Sequence, residues 1–363
     1  MAEEALPLLH YLKRPNPEVD STWSLMDGRS ENSKYNGKNS PHDALHLRNV
    51  FIWEGMEWED LKPIFDSILE CPASSMPNFE DFLRYPSHLK EVSDENSLDT
   101  LLTRWNYPVV AAALSKAQSH DDFRDKLGTS EHLHEISIAR GGQAWLPNEN
   151  MLKPDWAGIL LSCHDNKRPN KVYNPKPYLN VLPGDTKLST KFKSEWGWQD
   201  PRFKGPITQV FTYCRRARVP YGYIITQEEL VILRLFYGDK ENASKLTEGT
   251  QSFQYVEYKS IPWANNTNHE LTINLTLWCL HMLAARRKPI GGRKELKSEY
   301  PTPEKSTQGR TTVSESSGVD HLDSTSVRDE IQHSFSTRRR SEDTGTTGSE
   351  RGRGTMRKRR RRH

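Results

Sequence analysis

Apolar positions along the chain recur with two periods, one helical and one strand-like. Between residues 58 and 70, WEDLKPIFDSILE carries the helical spacing and predicts a short helix. From Ser97 onward, SLDTLLTRWNYPVVAAALSKAQ sets Leu98, Leu101, Leu102 and Trp105 at i, i+3, i+4 and i+7, one face of a helix. Pro108 should end or kink that helix, with VVAAALSKA as its continuation. Then come EISIARGG, DWAGILLSC and PYLNVLPGDTKLS, each short, β-rich and bounded by Gly, Pro or Asn, which predicts three strands. GPITQVFTYCRRARV places Ile207, Val210, Phe211 and Cys214 on one stripe of a helix. YGYIITQ and ELVILRLFYG read as two strands joined by a short polar turn, and VEYKSIPW as a further strand. HELTINLTLWCLHMLAARR is apolar all round its middle, as a buried helix is. The order helix, three strands, helix, two strands predicts an α/β core: a central mixed β-sheet flanked by helices.

The polar segments bound that core. Residues 1–45 are Ser- and Asn-rich and should be mostly irregular. From Lys288 the composition turns to Ser, Thr, Gly, Arg and Glu, and aromatic residues nearly vanish. Such a segment buries too little apolar surface to offset its ordering entropy, so disorder is expected there. The expected division is an N-terminal extension over 1–90, a folded domain over 91–288, and a disordered linker with a basic tail over 289–363. The net charge of +3 hides an asymmetry, because the last thirteen residues, RGRGTMRKRRRRH, hold eight Arg or Lys and no acid. The remainder is therefore near neutral to slightly acidic. Four widely spaced cysteines with no CxxC pair argue against a zinc ribbon or a disulfide scaffold and fit a reducing compartment. No signal-peptide pattern opens the chain, and no run approaches the roughly 18 apolar residues needed to span a bilayer. No membrane partner is expected.

Candidate chemistry sits on the predicted strands. In VLPGDTKLSTKFKSEW, Asp185 and Lys187 lie two residues apart and so share one face of a strand. Pro183-Gly184 is expected to break the preceding strand and turn both side chains toward a site. Pro154-Asp155 opens the strand before, and if those strands pair, both carboxylates meet at one end of the sheet. Two carboxylates with backbone carbonyls and waters suit Mg²⁺ (or Mn²⁺). A neighbouring lysine can orient an attacking water or offset charge growing on a phosphate. A surface ion pair, of little energetic weight, is the plain alternative for Asp185 and Lys187.

Pro154-Asp155 followed by Asp185-Thr186-Lys187 resembles the PD-(D/E)XK nuclease superfamily, with its restriction-endonuclease-like fold. Gln209 and Tyr213, at i and i+4 on one helix face, resemble the Q-x-x-x-Y pair of its exonuclease-type branch. KPDWAGI, VLPGDTKLSTKFKSEW, ITQVFTYCRRARVPYGYIITQEELVILRL and LTINLTLWCLHMLA are similar to fungal PD-(D/E)XK nuclease-like proteins over roughly residues 98–287. The resemblance implies a metal-dependent nuclease acting on DNA or RNA and leaving a 3′-hydroxyl and a 5′-phosphate. Asp155 and Asp185 would hold the metal, Lys187 would position water, and Gln209 would support substrate or site. The superfamily adds a carboxylate from its first helix. Here DENSLDTLL offers Asp99 or Glu95, with Glu131 and Glu135 as further candidates, and an acid in a first turn also simply complements the helix dipole.

Nucleic-acid contacts could come from Lys191, Lys193, Tyr213, Arg215 and Arg216, with a solvated strand edge, a core aromatic and a solvated helix end as their plain alternatives. Trp196, Trp198 and Trp263 suit packing better than base stacking. The basic clusters at Arg338–Arg340 and at the C-terminus resemble a nuclear import signal or a nucleic-acid tether, which points to the nucleus, otherwise the cytoplasm. The rival from another class is a catalytically inactive module that binds nucleic acid or a protein partner.

Overall fold

The computed structural model describes residues 5–21, 47–73, 76–77, 87–121, 123, 134–146, 152–161, 178–236 and 254–285. Expectations for Glu131 and for the tail at 289–363 lie outside these residues.

The described elements are α1 (Leu8–Leu12), β1 (Asn49–Ile52), α2 (Trp58–Leu69), α3 (Glu95–Arg104), α4 (Asn106–Gln118), β2 (Ile136–Arg140), β3 (Ala144–Trp145), β4 (Trp156–Leu160), β5 (Tyr178–Thr186), α5 (Pro201–Ala217), β6 (Tyr221–Ile225), β7 (Glu229–Phe236), β8 (Tyr255–Pro262) and α6 (Ile273–Ala284). Seven strands form one mixed sheet in the order β1-β8-β7-β6-β5-β4-β2, and the two-residue β3 pairs with β5. β2, β4 and β5 run antiparallel in succession, and β6 returns parallel to β5 after α5. β7 and β8 continue antiparallel, and β1 closes the far edge parallel to β8. The sheet is thus α/β and mixed, as the periodicity predicts.

Alternation along β6 separates the two faces. A Cβ at Gly222 would meet Val210 and Cys214 of α5. The next residue, Tyr223, lines a small apolar cavity with Leu102 of α3, Asn106 and Tyr107 of α4, and Leu277 of α6. So α5 covers one face, and α3, α4 and α6 cover the other.

Element boundaries follow local chemistry. α3 starts at Glu95, two residues before the apolar pattern suggests, because Asp94 caps it. The Ser97 amide donates to Asp94 Oδ1 at 2.7 Å, and the Asp94 amide donates to Ser97 Oγ at 3.0 Å. This is a reciprocal capping box. Asp94→Ala should cost about 1 kcal/mol of unfolding free energy in a urea titration. The break between α3 and α4 falls at Trp105 and not at Pro108. Pro108 is the third residue of α4, where a missing N–H leaves no helical bond unmade. α5 begins at Pro201, ahead of the apolar stripe, since Asp200 accepts the Arg202 amide at 2.8 Å and Pro201 suits a first helical position. α1 and β1 carry too little periodicity to be read from the sequence; three of the four β1 residues are exposed.

Pro183-Gly184 does not break a strand. β5 runs through both residues to Thr186. The ladder to β6 begins only at Gly184, so at Pro183 the missing N–H leaves no β6 bond unmade. Gly184 is required by packing: a Cβ there would lie 2.2 Å from the Tyr223 ring. Between β7 and β8, Arg234 and Glu257 stand opposite each other as a buried ion pair, with the guanidinium 4.6 Å from the centre of the Trp53 ring.

Candidate active site

The site forms where β4 begins and β5 ends. These strands are antiparallel, with Trp156 opposite Gly184, so Asp155 and Asp185 lie at one end of the sheet. The turn Gly141–Gln143 fixes that end. The Gly141 amide donates to the Asp155 carbonyl at 2.8 Å, and the turn packs on Pro154 so closely that no Cβ fits at Gly141.

Asp185 points to the α5 face and is buried, with 1% of its surface exposed. Lys187, two residues on, pairs with its Oδ2. The Lys187 side chain is 16% exposed and also donates to the Thr186 carbonyl at 3.1 Å. From α5, Gln209 Nε2 donates to Asp185 Oδ1 at 3.2 Å and to the Tyr213 hydroxyl at 2.6 Å. The i, i+4 pair on that helix therefore backs the carboxylate, and Tyr213 itself is buried. Burial pushes the Asp185 carboxyl up to about 7; Lys187 opposes the shift and Asp155 reinforces it. Asp155 is also raised, by burial first, against the Thr186 amide and the Lys187 charge. Lys187 is raised too. Burial works against its ammonium, but the Asp185 charge and hydrogen bond outweigh it. The Asp155 charge helps to hold Asp185 protonated, so both ionise fully only against added positive charge.

Thr186 faces the other way, toward α3. Its amide donates to Asp155 Oδ2 at 2.9 Å and its hydroxyl donates to Asp99 Oδ1 at 2.7 Å. The same hydroxyl accepts Trp156 Nε1 at 2.9 Å. Asp99 Oδ2 accepts Arg140 Nη2 at 2.5 Å, and the Arg140 guanidinium lies 4.6 Å from the centre of the Trp156 ring. Of the first-helix candidates, Asp99 thus stands beside the site, one turn into α3 and outside its first turn. Glu95 pairs with Lys191 at 3.3 Å. Glu135 is exposed and precedes β2 at the opposite end of that strand from Arg140.

The segment after Lys187 is held by the turn between β6 and β7. The Ser189 amide donates to Gln227 Oε1 at 3.0 Å, and Gln227 Nε2 donates to Ser189 Oγ at 2.8 Å. Lys193 pairs with Glu228 at 2.7 Å, and the Ser194 amide donates to Glu229 Oε1 at 2.7 Å. Lys191 and Lys193 thus each have a carboxylate partner. Arg215 and Arg216 are half-buried in the last turn of α5. Trp196 and Trp198 are half-buried beneath Arg202 and Lys204, 3.9 and 4.9 Å from the ring centres, while Trp263 is buried and donates to the Pro17 carbonyl at 2.9 Å.

Arg140, Trp156 and Thr186 were not singled out by sequence reasoning. Thr186 had a signal: the middle residue of Asp-x-Lys on a strand must face opposite to its neighbours. Arg140 had only its place at a strand end before Gly-Gly.

Among the described residues, no group of three His, Cys, Asp or Glu side chains is arranged to hold a metal ion. The donor set on offer is the Asp155–Asp185 pair with nearby backbone carbonyls. Two raised carboxylates at one sheet end, Asp185 buried and Asp155 half-buried, suit a hard divalent cation, which would neutralise them and keep several waters.

Titration of the site bears on stability, and a second buried group opposes it. His281 on α6 is fully buried, and burial lowers its pKa to about 4. Its neutral form contributes stability above its unfolded value near 6.5, lost as pH falls through about 4. Asp185 acts with the opposite sign: its contribution is complete below its unfolded value near 3.8 and is lost as pH rises through about 7. His281→Leu removes one of the two. The stability of the metal-free parent relative to this variant should fall by a few kcal/mol between pH 7 and 4.5, read from paired urea titrations. A pH-independent difference would contradict this assignment.

No helix among the described residues is long and apolar enough to cross a membrane. In comparisons with known proteins, no family model, no curated protein and no solved structure matches the chain.

Proposed function

We propose that the chain is a divergent nuclease of the PD-(D/E)XK type, hydrolysing phosphodiester bonds of DNA or RNA with Mg²⁺ or Mn²⁺. The observation that carries this is the meeting of Asp155, Asp185 and Lys187 at one sheet end, with Gln209 on Asp185. The topology supports it: an antiparallel β2-β4-β5 meander, then α5, then β6 parallel to β5 is the arrangement expected of a restriction-endonuclease-like core. Asp155 and Asp185 would hold the cation. A bound divalent ion supplies Lewis acidity toward a phosphate oxygen and lowers the pKa of its water. Lys187 would orient the attacking water or meet the charge that develops on the phosphate. Gln209 would keep Asp185 aimed at the site. Nucleic acid is the partner this chemistry requires, and the basic C-terminal cluster fits both that partner and a nuclear location.

The test is cleavage of labelled single- and double-stranded DNA and RNA by the full chain, with Mg²⁺, with Mn²⁺ and with EDTA. Cutting is expected with either cation, abolished by EDTA and by Asp185→Ala. A folded wild type that cuts none of these substrates would overturn catalysis. It would favour the second reading, an inactive binding module. One observation supports that reading already: Asp99, a first-helix acid at the site, is bonded to Arg140 and Thr186.

A further inference from the structure

The Asp99 carboxylate has a partner on each oxygen. Oδ1 accepts the Thr186 hydroxyl at 2.7 Å and Oδ2 accepts Arg140 Nη2 at 2.5 Å. Its side chain is 15% exposed. Thr186 in turn uses its amide on Asp155 Oδ2 at 2.9 Å, while its hydroxyl also accepts Trp156 Nε1 at 2.9 Å. A hydroxyl has one proton to donate, and here it goes to Asp99. Trp156 supplies the complementary donor, and Arg140 lies on the Trp156 ring while holding the far oxygen of Asp99. Residues from α3, β2, β4 and β5 are thereby tied in one chain of hydrogen bonds that crosses from the α3 face to the sheet end.

We propose that Asp99 is a positioning residue that acts through Thr186: it orients Thr186 so that the Thr186 amide fixes the Asp155 carboxylate, and it is not itself a metal ligand. One lone pair on each Asp99 oxygen is taken, and a cation using the other would stand beside the Arg140 guanidinium or share an oxygen with the Thr186 hydroxyl, so the arrangement disfavours ligation by Asp99. The metal part of this inference rests on the proposed function; the Asp99–Thr186–Asp155 relay does not.

The experiment uses the full chain and two readouts: hydrogen exchange at the amide of residue 186 in metal-free protein, and Mn²⁺ affinity by titration calorimetry. Thr186→Val removes the hydroxyl and no proposed ligand. It should speed exchange at that amide about tenfold and weaken Mn²⁺ binding about tenfold, and Thr186→Ser should restore both to within about threefold. Asp99→Ala, which leaves a good helix former at a partly exposed position, should match Thr186→Val in both readouts. The double variant should be no worse than either single one, as expected of residues acting as a unit. If Thr186→Val does not fold, Asp99→Ala against Thr186→Ser decides by the same exchange rate. Unchanged exchange at residue 186 in Thr186→Val or Asp99→Ala overturns the relay. Loss of Mn²⁺ affinity in Asp99→Ala alone, adding fully to that of Thr186→Val, overturns the positioning role in favour of direct ligation. A wild type that binds no Mn²⁺ sinks the proposed function, and the exchange rates still decide the relay.

Discussion

Lys187→Met should lower metal-dependent cleavage by roughly 10²–10⁴-fold, the range for loss of a positioned proton-transfer or charge-stabilising group. A second effect distinguishes this lysine from a surface cation. Lys187 is the partner that opposes the rise of the Asp185 carboxyl toward about 7. Without it, the Asp155–Asp185 pair has lost its nearest positive charge, and the buried Asp185 must hold its proton to higher pH. A cation then has to displace that proton, so the onset of activity and of Mn²⁺ binding should both move to higher pH than in wild type. The measurement is a pH–rate profile beside a pH series of Mn²⁺ titrations. A rate loss with no movement of either onset would mean that Lys187 is not coupled to Asp185 in solution. Retained wild-type activity would remove Lys187 from the mechanism.

Gly141→Ala should be as damaging to the fold as Lys187→Met is to the chemistry. A Cβ at residue 141 would stand 1.7 Å from the Pro154 carbonyl oxygen and 2.7 Å from its carbon. Both are backbone atoms, held at the start of β4, so no rotamer change can relieve the contact. The turn Gly141–Gln143 and the 154–155 segment must separate, breaking the 2.8 Å bond from the Gly141 amide to the Asp155 carbonyl. A loss of more than about 3 kcal/mol in unfolding free energy is expected, among the larger effects of single substitutions. The neighbouring residue is the control. A Cβ at Gly142 meets nothing within 4 Å, so Gly142→Ala should shift stability by less than about 1 kcal/mol. Urea titration of the two variants checks both figures. Equal stabilities would show that the turn is not packed on Pro154.

What the sequence revealed and concealed follows from the range of each signal. Helix and strand periods are local, and they located α2, α5, α6 and every strand that flanks the site. Asp155, Asp185, Lys187 and Gln209 were legible because each sits at a fixed offset on such an element. Pro183-Gly184 misled because its common meaning is a turn. Its meaning here depends on the Tyr223 ring, about 40 residues away in the chain, and on where the β6 ladder begins. Arg140 was hidden for a related reason: its partners Asp99 and Trp156 come from α3 and β4 and become neighbours only once β2 is placed at the end of the sheet. Among the four acids weighed for the first helix, no local rule separated Asp99 from Glu95. The capping box at Asp94 did, by setting where α3 starts and so which of its residues reaches Thr186.

The grip of residues 227–229 on residues 189–194 has a thermodynamic consequence. Three successive side chains hold that segment through Ser189, Lys193 and Ser194 before any ligand arrives. Its ordering entropy is therefore settled during folding, and association with a ligand leaves little backbone freedom to lose there. The heat-capacity change on binding would then reflect the surface covered by the ligand, without the added share that accompanies coupled folding of a loop.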